Sequence, residues 1–303
     1  MTLQSFMCHW FYRIVIYFAV LFLLVLGITY APVTLSSLYG KSDFAQVLSF
    51  LLNFVIFTTP IILIEFLCKH SVIKFLGLDF TARTPLYFLK SLLFAIIPFA
   101  IIAIVYYSLG KSDIIINEPS VKSIILATII LLVVAIQEEI FFRAFLINSL
   151  HFKFNKKISI VISAITFSLL HLGNASSSML STTNTFLAGI LLGLMYLRTM
   201  NLWYPIFFHF FWNFGQALIL NSNISSVASN ISLFNYDKMD LPKILTGGFY
   251  GFENTLICTI ILLVLIFVVS KYETLRSKNS SYYNGIKNKM IKATNKNETQ
   301  ATK

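Results

Sequence analysis

Eight apolar runs, separated by short polar stretches, set the pattern of this chain. They fall at about residues 10–35, 45–67, 88–109, 124–147, 158–172, 185–197, 204–220 and 252–270. A helix needs about 20 apolar residues to cross a hydrocarbon core of about 30 Å. The pattern therefore predicts an all-α fold: a polytopic transmembrane helical bundle of about eight spans around a polar intramembrane cavity. The fifth and sixth runs are short, about 15 and 13 residues, and at about 1.5 Å per residue they do not reach across. They are expected to be shielded by neighbours or lengthened by polar residues that line the cavity. The sixth run carries Gly189 and Gly193, a spacing that lets helices approach closely. The segmentation predicts three spans in 1–123, a four-span core in 124–220, an outer loop and last span in 221–276, and a disordered polar tail in 277–303.

Composition sharpens the membrane reading. The chain is 57% apolar and 12% charged, against about 25% charged residues in soluble domains. Its formal charge of +11 needs no nucleic-acid partner, because lysine and arginine gather in alternate loops. With the N-terminus inside, 17 of them fall on the cytoplasmic side and five outside. That segregation predicts a multi-pass protein of the cell membrane with both termini cytoplasmic and the lipid bilayer as its constant partner. The three cysteines, Cys8, Cys68 and Cys258, are far apart and predict neither a disulfide framework nor a cysteine metal site. No cleavable signal peptide is expected, since the first run is long enough to span. The sequence does not set an oligomeric state.

Ionisable residues inside apolar runs are costly and usually face a cavity where they act. The fourth run carries Gln137-Glu138-Glu139-Ile140-Phe141-Phe142-Arg143. Glu139 and Arg143 are four apart and share a helical face. Glu138 is turned by about 100° and is left free. His171 ends the fifth run, and the seventh contains His209 and Asn213, again one turn apart. An imidazole and an amide N–H aimed at one point make an oxyanion hole. A carboxylate in a poorly solvated setting can take a proton from water, and His171 could share that water or protonate a leaving amine. Glu65, at the end of the second run, is expected at the interface. The set suits water-mediated amide hydrolysis of a peptide or membrane-protein substrate, without a cofactor. Zinc held by a glutamate and two histidines is the alternative, although no HExxH occurs.

Taken in order, Glu138-Glu139-x-x-x-Arg143, Phe167-x-x-x-His171 and His209-x-x-x-Asn213 resemble the signature motifs of the CAAX protease and bacteriocin-processing (CPBP, or Abi) family, relatives of the Ras-converting CAAX prenyl endopeptidase. The resemblance spans about residues 124–220 and includes Asn201-Leu202 and Pro205-Ile206. It implies a bundle of about eight helices and an intramembrane endopeptidase. Glu138 and His171 would activate water, His209 and Asn213 would hold the oxyanion, and Glu139 and Arg143 would shape the site. It also implies a bacterial source. Some members serve bacteriocin immunity or act as non-proteolytic scaffolds, which is the competing reading; a proton-coupled transporter is a third. From the inner ends of their runs, Glu138 lies at about 14 Å and His209 at about 8 Å. Those depths predict a site opening to the cytoplasm, with His171 nearer the outer end.

Overall fold

Backbone N–H and C=O groups left unpaired in hydrocarbon are costly, and a helix satisfies them within one segment. The computed structural model describes residues 9–29, 43–108, 115–225, 231–235 and 242–272, with positions 285 and 288. In chain order the helices are α1 (Trp10–Thr29), α2 (Asp43–Leu67), the short α3 (Val72–Leu76), α4 (Thr84–Ser108) and α5 (Val121–Glu139). A π-helical segment, Ile140–Ile147, carries α5 into α6 (Asn148–His151). Then come α7 (Lys156–His171), α8 (Met179–Thr199), α9 (Trp203–Ile219), the short α10 (Lys243–Thr246), a 3₁₀ turn (Phe252–Asn254) and α11 (Leu256–Tyr272). Two-residue strands, β1 (Ile115–Ile116) and β2 (Phe234–Asn235), form one antiparallel bridge between loops. The tail from residue 277, apart from the two positions named, lies outside the described residues.

Long helices thus stand at all eight apolar runs, and the fold is a helical membrane bundle. Among the described residues, four stretches are long and apolar enough to cross a membrane: Val47–Leu67, Thr84–Ile104, Val121–His151 and Met179–Thr199. Phe22, Leu23, Phe66, Leu170 and Phe267 are each more than half exposed, as lipid-facing side chains are. The short sixth run is lengthened as expected: α8 begins seventeen residues before Tyr196, at Met179, behind a capping box of Ser178 and Ser181. Its first turns carry buried Ser181, Asn184 and Thr185.

Gly189 and Gly193 seat α8 on α7. A Cβ on Gly189 would lie 2.9 Å from Ala164 Cα, and one on Gly193 would lie 3.1 Å from Ile160. The π-helical segment is buried along its whole length, and Ser163 of α7 donates to the Phe142 carbonyl within it at 2.8 Å.

Hydrogen bonds define the two ends of the bundle. At one end Leu202 N–H donates to the Gly77 carbonyl (2.8 Å), Trp203 Nε1–H to Leu78 (2.9 Å) and Asn148 to Phe75 (3.2 Å). Ten described lysines and arginines gather there, from Arg13 to Lys271. Lys122 and Lys243 are those that the described residues place at the opposite end.

The basic end holds a buried ion pair and one correction to expectation. Glu65 is fully buried, ion-paired with Arg13 and accepting from His70 Nδ1 at 2.6 Å. Arg13 also donates to Ser149 (3.1 Å) and lies over the Phe75, Phe145 and Phe152 rings. A buried carboxylate needs such partners. Cys68 is disulfide-bonded, whereas Cys258 is free. Separation along the chain does not measure separation in space: Cys68 lies 3.8 Å from Arg13 Nη1. The remaining cysteine, Cys8, is outside the described residues.

Candidate active site

α5 delivers Glu138 and Glu139 at the point where the helix widens into the π-helical segment, a local irregularity common at functional sites. The two carboxylates part company at once. Glu139 is fully buried, and its Oε1 faces Arg143 Nη1 at 3.1 Å and His209 Nδ1 at 2.9 Å. The Arg143 contact is an ion contact without hydrogen-bond alignment. Arg143 rests on the Phe167 ring, 4.5 Å from its centre, so a cation–π contact replaces part of the lost hydration. Glu138 is 24% exposed in its side chain and lies 3.9 Å from His209 Nε2. That is ion-pair distance, too long for a hydrogen bond. Its Oε2 has no hydrogen-bond partner among the described residues.

The tautomers follow from the acceptors. A carboxylate only accepts, so His209 Nδ1 carries the proton given to Glu139 and its Nε2 is the atom nearest Glu138. His171 Nδ1 lies 2.8 Å from the Phe167 carbonyl, also an acceptor. Its Nε2 is therefore left as the lone-pair nitrogen of the neutral ring. Phe167 stands between the two histidines, with ring centres 4.5 Å from His171 and 6.4 Å from His209.

Glu138, His171, His209 and Asn213 all line one cavity of about 450 Å³. The structure thus lines one cavity with the four residues singled out in the sequence, and α7 packs along the π-helical segment, with Phe167 against Phe142 at 4.9 Å between ring centres. Glu139 and Arg143 stand behind the wall, as the pair expected to shape the site. Phe50, Phe57, Ile130, Leu131 and Val134 form an apolar flank. Gln137 and Asn53 add polar groups.

The cavity's lining lies toward one end of the bundle. Asn174, Asn184, Ser225 and Glu253 complete the lining, and they belong to the end of the bundle poor in lysine and arginine. None of its lining residues comes from the basic end. His171, at the end of α7, belongs to the same lining. Glu253 was not singled out in the sequence. It sits in a short loop segment outside the motif region, and no spacing rule connects it to Glu138. Among the described residues, no three His, Cys, Asp or Glu side chains converge as a metal site.

Residues 120–215 match the family model described as type II CAAX prenyl endopeptidase Rce1-like. No curated protein matches the chain. The matched segment contains Glu138, Glu139, Arg143, His171, His209 and Asn213.

Proposed function

We propose, taking as premise that residues 120–215 belong to the Rce1-like type II CAAX endopeptidase family, that this multi-pass membrane protein hydrolyses a peptide bond with a water activated by Glu138. The observation that carries the reading is the division of labour between adjacent glutamates. Glu139 is held by Arg143 and His209, while Glu138 lines the cavity with an oxygen that accepts no hydrogen bond among the described residues.

In this reading Glu138 takes a proton from water as the oxygen attacks the scissile carbonyl. The negative charge moves to the former carbonyl oxygen, where His209 Nε2–H and the Asn213 amide donate to it. His209 donates there only as the doubly protonated ring, because Nδ1–H is given to Glu139. Collapse of the tetrahedral species breaks the C–N bond, and the leaving amine takes the proton from Glu138 or through His171. Arg143 and Glu139 act as positioning residues that set the His209 ring. This reading routes no step through a metal.

The charge distribution supports a cytoplasmic basic end, with both termini inside. The cavity then leads to the opposite face, and the substrate is a peptide or membrane-protein segment presented from that side of a bacterial membrane. The direct test is cleavage of a quenched-fluorescent peptide library by purified wild type and by Glu138→Gln. Cleavage by wild type and its loss in the variant support the reading; equal cleavage by both overturns it.

A further inference from the structure

Glu253 is a third carboxylate of the cavity, and the chemistry above leaves it unused. It belongs to the 3₁₀ turn before α11 and is half-buried on the cavity wall. Its Oε1 accepts from Gln216 Nε2–H at 3.1 Å and Trp212 Nε1–H at 3.3 Å, and its Oε2 from Ser225 Oγ–H at 2.7 Å. The turn itself is pinned: Asn184 donates to the Glu253 carbonyl (2.8 Å) and to the Thr255 carbonyl (2.9 Å), and accepts from Thr259 (2.6 Å).

All three donors to the carboxylate are neutral. Among the described residues no lysine, arginine or histidine lies within ion-pair distance of Glu253. A glutamine would anchor the turn with the same acceptor oxygen and without the desolvation cost of a charge. The cavity holds Glu138, His171 and His209 near the α5–α9 contact and Glu253 on the wall beyond them, with Arg143 behind it and fully buried. A fixed carboxylate with no cationic partner among the described residues, in a partly desolvated cavity, is a site for a cation.

We propose that Glu253 binds a cationic group of the substrate, a lysine or arginine side chain or a free α-amine, and so selects basic peptides and sets where they are cut. This rests on the endopeptidase reading. Trp212 and Gln216 belong to the helix that carries His209 and Asn213, so an occupant of the Glu253 site is positioned relative to the oxyanion donors.

The test separates binding from hydrolysis. Full-length protein carrying Glu138→Gln is titrated with a fluorescent apolar decapeptide in which a single lysine is moved through each position. The same peptides with norleucine in place of lysine serve as uncharged counterparts, all N-acetylated, and a non-acetylated norleucine peptide tests the α-amine. The expected result is about tenfold tighter binding of the lysine peptide, or of the free amine, at one register. That ratio falls to about one when Glu253→Gln is added. A ratio near one before Glu253 is changed overturns the proposal without requiring any variant at that position to fold. So does a ratio that survives Glu253→Gln in protein whose melting temperature is unaltered. If the ratio behaves as expected but wild type cuts no peptide, the cation site stands and the hydrolytic reading falls.

Discussion

At the scale of single residues, the account rests on unequal treatment of two neighbouring glutamates. Glu138→Gln removes the base while keeping the shape, and peptide cleavage is expected to fall by a factor of about 10²–10⁴, with membrane accumulation unchanged. His171→Ala is expected to lower the rate in the same assay. Arg143→Ala acts differently. It strands Glu139 in a fully buried place, and removing one partner of such a pair costs about 3–5 kcal/mol. A lowered melting temperature in detergent, together with lost activity, is the expected signature. Most of this site was legible in the sequence, because ionisable groups in apolar runs stand out and helical spacing assigns their faces. The pairing of Glu139 with Arg143 follows from a separation of four. The bond between Glu139 and His209 does not, since no local rule joins α5 to α9. Glu253 escaped for the same reason: its partners Trp212, Gln216 and Ser225 converge only in the fold.

At the scale of elements, the close contact of α7 and α8 is the sharpest dependence. Gly189 leaves no room for a Cβ against Ala164 backbone. Gly189→Val is expected to cost about 1–3 kcal/mol, read as a lowered melting temperature. Ala164→Gly in the same protein is expected to recover part of it. The apolar runs placed the helices well, because periodic burial and lipid exposure write themselves into composition. Two features lay beyond that signal. The polar start of α8, with Ser181 and Asn184 buried, hides a third of the helix from hydropathy. Nothing in composition marks Ile140–Ile147 as π-helical; apart from Arg143 its residues are apolar, like those of a span.

At the scale of the whole molecule, the proposed orientation puts the chemistry on the lysine-poor face. The prediction concerns labelling of intact cells by a membrane-impermeant maleimide. Lys243→Cys, at the lysine-poor end, is expected to react from outside, whereas Lys156→Cys is expected to react only after permeabilisation. The reverse pattern would turn the cavity toward the cytoplasm. The sequence carried the charge count, whereas depths taken from run boundaries accumulate error along each helix, so the cavity's face is left to this labelling. The endopeptidase reading stands or falls on turnover. The measurement that decides it pairs wild type with Glu138→Gln on the peptide library, each with and without a strong chelator. The account predicts cleavage by wild type alone, unchanged by chelator. Cleavage that persists in Glu138→Gln, or that chelator removes and zinc restores, would contradict it.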